Sequence, residues 1–187
     1  SKEVIKLKTY NIGIIGLGTI ANAYATSLEV IPNANLYAVA SRTINKANKF
    51  KNKFGAEVAY GTNLELFQEE KVDLVYIATP MSSHYENMLE ALKHNKHILC
   101  EKSFTLNAKE AKHIFSIAKE KNLFVMEALW SRFNPTLLKV KELIDEGIIG
   151  DITKVDVEFS LKLPFNKDSR LYSRALGGGS LLDVGIY

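Results

Sequence analysis

The chain has 187 residues, of which 47% are apolar and 24% charged, the balance of an ordinary water-soluble globular protein. A net charge of +3 is too small to argue for nucleic acid or a membrane surface as partner, and no apolar run approaches the roughly 20 residues that span a bilayer. The single cysteine, Cys100, excludes an intramolecular disulfide framework and fits a reducing, cytoplasmic setting.

Residues 1–11 are charged and lack the apolar core of a secretory leader, and Ser1 in place of Met reads as a processed or tagged start. A first buried strand is expected over Asn11–Ile15. It runs straight into Gly16-Leu17-Gly18-Thr19-Ile20-Ala21 and a helix reaching about Val30. Gly16 allows the tight strand-to-helix bend, Gly18 lets a diphosphate approach the backbone, and Ala21 keeps the helix close to the strand. The helix start at Thr19 and Ile20 then offers free N–H groups and a positive dipole end to phosphates. Such a turn standing alone is weak; set between a first strand and a helix, it points to dinucleotide binding.

The second strand, Leu36–Ala40, ends about 20 residues past this turn, where an acidic residue commonly holds the adenosine ribose. Ser41 and Arg42 stand there instead, a hydroxyl and a guanidinium suited to a 2′-phosphate, with Lys46 one turn on. NADP is therefore preferred to NAD, the plainer alternative being that Arg42 is an ordinary surface arginine. A helix over Ile44–Phe54, stopped by Gly55, carries Lys46, Lys49, Lys51 and Lys53, most simply a solvated face. Strand Glu57–Tyr60 and helix Asn63–Glu70 follow.

Strand Leu74–Ala78 ends in Thr79-Pro80, with His84 near the start of a helix over Ser83–Asn95. This is the edge at which such folds bind ligands, so Thr79 and Pro80 are cofactor-facing candidates and His84 at most a cofactor neighbour. Strand His97–Cys100 ends in Glu101-Lys102. An adjacent acid and base usually form a solvated pair, yet at this edge Lys102 is placed to bond a substrate hydroxyl. His94, His97 and His113 show no metal-ligand spacing, and no metal site is read. Helix Asn107–Lys121, with Asn107 and Glu110 as a capping pair, and strand Leu123–Ala128 complete an alternating pattern that implies a doubly wound parallel sheet.

The period then changes. A helix from Asn134-Pro135 to Gly147 precedes Val155, Val157, Phe159, Leu161 and Leu163 interleaved with polar residues, the mark of a strand with one wet face in an antiparallel sheet. Residues 1–128 are thus read as a dinucleotide-binding domain and 129–187 as the beginning of a second, α+β domain. That second part is too short for an independent core. The chain reads as the front of a longer protein, the alternative being a partner chain that supplies the missing strands. Gly177-Gly178-Gly179 near the end allows close approach of backbone to ligand, and Asp183 and Tyr187, four apart, share a face on a helix. A phenol with an ordinary pKa of about 10 needs a nearby cation to act as a base, and Lys102 is the obvious one.

Together, Gly16 to Ala21, Thr79-Pro80 with His84, Glu101-Lys102, Met126 to Pro135 and Gly177 to Tyr187 resemble the glucose–fructose oxidoreductase / inositol dehydrogenase family, and within it the dihydrodiol dehydrogenase-like branch. The motifs lie in the family's order over essentially the whole chain. The resemblance implies that Lys102 lies beside the nicotinamide and substrate, that Asp183 and Tyr187 belong to the acid/base motif, and that Glu101, Trp130 and Arg132 neighbour the cofactor. Ser103 replaces the family's usual proline, and Tyr187 its commoner histidine. The implied activity is hydride transfer between NADP(H) and a secondary alcohol of a sugar, polyol or cyclic diol, in a homo-oligomer, dimer or higher. A non-catalytic NADP-binding sensor or regulatory module is the alternative, and intact Lys102 and Tyr187 argue against it.

Overall fold

Short runs that are apolar on both faces become the strands of a single parallel sheet in the computed structural model, which describes residues 8–187. Residues 1–7, the start both of the stretch read as lacking a leader and of the domain read as 1–128, lie outside the described residues. The strands are β1 (Tyr10–Ile15), β2 (Ala34–Ala40), β3 (Val58–Tyr60), β4 (Leu74–Ile77), β5 (His97–Glu101) and β6 (Val125–Ala128), in the order β3-β2-β1-β4-β5-β6. The order reverses between β1 and β4, so the winding changes sides there and a crevice opens at their carboxyl ends.

Helices α1 (Thr19–Leu28), α2 (Ile44–Phe54), α3 (Asn63–Gln68), α4 (His84–Lys93) and α5 (Ala108–Glu120) fall between the strands. The alternation of side chains along each strand splits the core in two. Ile12, Ile14, Val39 and Tyr76 pack with Ala21, Ala25 and Leu28 of α1 and Ala47 and Phe50 of α2. Ile15, Val75, Ile77, Ile98 and Cys100 pack with Leu66 and Phe67 of α3, Met88 and Leu92 of α4 and Ile114 of α5. Two helices thus cover one face and three the other.

Local signals set the ends. Asn107 Oδ1 accepts the Glu110 amide at 3.0 Å, the expected cap of α5, and Gly55 ends α2 with φ +73°. Thr62 and Glu65 close a reciprocal capping box on α3, a Thr-x-x-Glu pattern that the sequence reading passed over. Helix α4 is shorter than expected at both ends, with a separate 3-10 turn at Met81–Ser83 before it and Asn95 in the left-handed region at φ +56° after it.

Beyond β6 come a 3-10 turn at Trp130–Phe133, helix α6 (Pro135–Asp145), capped by Asn134 with Pro135 in its first turn, and the short helix α7 (Ser180–Asp183). One expectation fails. The alternating stretch Lys154–Leu163 forms no strand in the structure. A ladder needs a neighbour to exchange hydrogen bonds with, and no described segment pairs with this one. Its apolar residues Val155, Val157 and Leu161 stay exposed.

The glycine turn after β1 gives a test of how the fold shapes the crevice. Gly16 has φ +80°, and a Cβ there would overlap the Ala78 carbonyl and the Thr79 nitrogen. Gly18 has φ −97°, and a Cβ there meets no atom within 4 Å. Gly16→Ala is expected to lose at least about 1–3 kcal/mol in denaturant unfolding and Gly18→Ala less than about 1. Equal losses would show that the turn does not depend on the left-handed conformation at Gly16.

Candidate active site

The strand register lines up the candidate residues. Ile15 pairs with Ala40 on one side and Ile77 on the other, Ile77 with Cys100, and Glu101 with Ala128. The residues that follow each strand, Gly16, Ser41, Thr79, Lys102 and Trp130 among them, therefore stand along one edge of the sheet.

On the β1–β2 side, α1 begins at Thr19 with no side-chain cap and no acidic residue in its first turn. Thr19 and Ile20 are exposed, and the surface over Gly18 is open. A ten-residue helix with uncapped amides behind an open glycine is an anion site in waiting, and it fits a dinucleotide diphosphate. Ser41 is half-buried, its amide on the Tyr60 carbonyl at 3.2 Å, while Arg42, next along the chain, and Lys46 in the first turn of α2 are exposed. Two residues that the sequence reading did not single out for the site join this side. Asn22 Nδ2 donates to the Gly18 carbonyl at 2.8 Å, and Lys53 Nζ donates to Asn22 Oδ1 at 2.8 Å. Lys53 is thereby more than part of a solvated face, a link that no sequence spacing reveals.

On the β4–β5 side, Thr79 and Pro80 follow β4 at the carboxyl edge of the sheet. His84 lies beside them, 1% exposed, with Nε2 2.9 Å from the Thr79 carbonyl and Nδ1 3.0 Å from the Ser103 carbonyl. Burial pushes its pKa down. The structure places His84 as a brace between two strand ends rather than on the open surface. Glu101 accepts the Tyr76 hydroxyl and, at 3.2 Å, the Lys102 amide, while the Tyr24 ring stacks on Tyr76 at 3.8 Å. Burial, and then the bond to Glu101, push the Tyr76 phenol far up. Burial alone pushes Tyr24 up to about 12.

The far end of the chain returns to Lys102. Its ammonium donates to the Asp183 carbonyl, lies 3.3 Å from Asp183 Oδ1, and sits 4.7 Å from the centre of the Tyr187 ring. The same Oδ1 accepts Arg170 Nη1 at 3.1 Å. Burial alone would raise the Asp183 carboxyl, but the Arg170 bond and the Lys102 charge outweigh it and hold it below the usual carboxylate range. Trp130 Nε1 donates to the Tyr187 hydroxyl at 3.2 Å, and the Phe159 ring lies tilted against the same ring, centroids 5.7 Å apart. Arg132 is exposed in the adjoining turn.

Asp183 and Tyr187 meet Lys102, but not by sharing a helix face. Helix α7 ends at Asp183, the Gly185 amide turns back to the Ser180 carbonyl at 2.8 Å, and Tyr187 arrives through that turn. Phe159 and Arg170 were absent from the sequence-derived site. Phe159 was hidden among the apolar members of an alternating run, and Arg170 sits in a polar loop without any local signal. Among the described residues no group of three or more His, Cys, Asp or Glu is placed to hold a metal ion, and no helix is long and apolar enough to cross a membrane.

Comparison with known proteins agrees with this geometry. The profile described as "Oxidoreductase family, NAD-binding Rossmann fold" matches residues 10–129, and that of the GFO/IDH/MocA C-terminal domain matches residues 137–187. Trans-1,2-dihydrobenzene-1,2-diol dehydrogenase of Mus musculus is 37% identical over 177 residues, covering 94% of this chain and 53% of the relative. D-xylose 1-dehydrogenase (NADP(+)) of Hypocrea jecorina is 36% identical, covering 96% of this chain and 51% of the relative. Among solved structures, KijD10, a 3-ketoreductase from Actinomadura kijaniata in complex with NADP and TDP-benzene, superposes with a TM-score of 0.88 at 33% identity, covering 96% of this chain and 55% of that one. The chain thus spans about half the length of the curated relatives it matches. With the glycine turn, the lysine after β5 and both family profiles in register, the chain belongs to the GFO/IDH/MocA oxidoreductase family.

Proposed function

We propose that the protein transfers hydride between NADP(H) and a secondary alcohol of a sugar, polyol or cyclic diol. The observation that carries this reading is the meeting of Lys102, Asp183 and Tyr187 at the same sheet edge as the open glycine turn. In this reading residues 10–128 bind the dinucleotide, and residues from 129 onward begin the part that shapes the substrate pocket. Gly16, Gly18, Thr19 and Ile20 hold the diphosphate, while Ser41, Arg42 and Lys46 take the 2′-phosphate. Thr79, Pro80, Glu101, Trp130 and Arg132 border the nicotinamide end, and His84 holds the Thr79 turn in place. NADP, when bound, supplies the hydride acceptor or donor.

The chain's own groups handle the proton. Tyr187 takes it from the substrate hydroxyl during oxidation and returns it during reduction. Lys102 stabilises the negative charge that builds on the phenolic and substrate oxygens as the proton leaves. Asp183 fixes the lysine, and because its carboxylate is shared with Arg170, two cations face one anion and the group keeps a net positive charge. Trp130 aims the phenol through its indole N–H, and together with Phe159 it gives an apolar wall for one face of a ring. That wall suits a cyclic diol or sugar, the substrate classes in the names of the dehydrogenase relatives. Exposed Leu137, Leu138, Val155 and Val157 support a homo-oligomer, and the buried, unpaired Cys100 supports a reducing, cytoplasmic setting.

Tyr187→Phe is expected to lower kcat at least about 100-fold in a dehydrogenase assay while NADP affinity stays within a few-fold; wild-type turnover in this variant would remove the acid/base role. Arg42→Ala removes a charge-assisted bond of about 1.5–3 kcal/mol, so the Kd for NADP rises about 10–100-fold and that for NAD hardly moves. Titration calorimetry with both cofactors decides, since equal losses would exclude a 2′-phosphate contact. For pH, the Asp183 carboxyl is depressed in the folded state. Its contribution to stability is therefore fully present above the ordinary aspartate range and is lost as pH falls through the depressed value. Melting curves of wild type and Asp183→Asn should differ at neutral pH and converge in acid, and a constant gap down to pH of about 2 would contradict the ion pair.

A further inference from the structure

Lys102 stands just past the point at which the sheet stops supplying hydrogen bonds. The β4–β5 ladder ends at Ile77 and Cys100, and the β5–β6 ladder at Glu101 and Ala128. Ser103 and Phe104 continue in the buried interior, 5% and 7% exposed, where an unpaired peptide group has no water to turn to. Three of the next backbone groups are taken up by side chains. The Lys102 amide goes to Glu101 Oε2 at 3.2 Å, the Ser103 carbonyl faces His84 Nδ1 at 3.0 Å, and the Phe104 amide donates to Glu127 Oε1 at 2.8 Å. The Ser103 hydroxyl donates to the Leu182 carbonyl, one residue before Asp183. Of the side chains that bind this backbone, Glu127 is the one supplied by the neighbouring strand. It comes from the middle of edge strand β6, is half-buried, and aims its carboxylate at the segment that leaves β5.

We propose that Glu127 is a positioning residue for Lys102: its carboxylate fixes the Phe104 amide, and so the turn from which the lysine side chain reaches Asp183 and Tyr187. The effect on turnover rests on the dehydrogenase reading above, while the hydrogen bond itself does not. An amide N–H needs only an acceptor, so an isosteric amide that keeps Oε1 serves as well as the carboxylate. A leucine of similar size removes the acceptor and frees the turn. A shift of about 1 Å in the ammonium position is enough to cost about 100-fold in rate.

The experiment compares the wild-type protein with Glu127→Gln and Glu127→Leu. Amide hydrogen exchange is read at Phe104, and steady-state turnover is read with NADP and a panel of sugars, polyols and trans-diols. The Leu variant is expected to exchange the Phe104 amide at least about tenfold faster, to lose about 100-fold in kcat, and to keep its KM for NADP within about threefold. Glu127→Gln is expected to stay near wild type on all three. A folded Leu variant with wild-type Phe104 protection and wild-type kcat overturns the proposal, as does a loss of rate that Gln fails to restore. Should Glu127→Leu not fold, the wild type decides. Its Phe104 amide proton resonance must follow the Glu127 carboxyl as it titrates, and must lose that dependence in Glu127→Gln; a resonance indifferent in both removes the bond. A wild type that protects Phe104 yet turns over none of the panel sinks the dehydrogenase reading and leaves the hydrogen bond standing.

Discussion

The parallel ladder can pair backbone groups only where two strands run side by side, and here the strands all stop along one line. Past Ile15, Ala40, Ile77, Glu101 and Ala128 every chain must find other partners for its peptide groups or leave them free. Two different solutions follow. At β1 the carbonyls are paired, that of Ile15 with the Ala78 amide and that of Gly16 with the Gly18 amide, but the turn leads into α1, whose first amides meet no side-chain cap. At β5 three of the groups are tied down by side chains, the Lys102 amide by Glu101, the Ser103 carbonyl by His84 and the Phe104 amide by Glu127. The open end suits a ligand that brings its own acceptors. The closed end suits a side chain that must not move.

The same edge explains where charge accumulates. Lys102 would be neutralised by Asp183 alone, and a neutral pair offers little to an oxygen losing its proton. Arg170 draws on the same carboxylate oxygen and so returns positive charge to the group. The Lys102 side chain is 15% and that of Asp183 21% exposed, so this pair interacts more strongly than a surface pair does, whereas Arg170 is 65% exposed and solvent screens its share. Tyr187 lies between that charge and the indole of Trp130, with apolar contact on one face and a hydrogen-bond donor at the oxygen.

Much of this is written in local residue patterns. Helix stops and caps such as Gly55 and Asn107 lie where their chemistry requires, and the runs apolar on both faces fix the six strands and their parallel sense. The glycine turn and Lys102 could be read because each depends on its place at a strand end. What could not be read depends on distant partners. Phe159 looks like any member of an alternating strand until the chain folds back on Tyr187, and Arg170 acquires meaning only from Asp183. The alternation at Lys154–Leu163 is a statement about a neighbour, and without one it makes no strand. The helix drawn through Asp183 and Tyr187 failed for a local reason, since Gly185 turns the chain back before a second turn can form.

The contact between Lys102 and Asp183 joins residues 81 apart in sequence, whereas Ile98 and Phe124, which bring β5 and β6 together, are only 26 positions apart by residue number. Closing a longer loop costs more chain entropy, but only slowly with length, and the β1–β4 pairing of Ile12 with Leu74 already spans 62 positions. The pairings of the sheet include no residue of the cluster, whereas Lys102 is placed by the end of β5. On the proposed reading, a chain with its sheet formed and this cluster undone is a nucleotide binder that moves no proton.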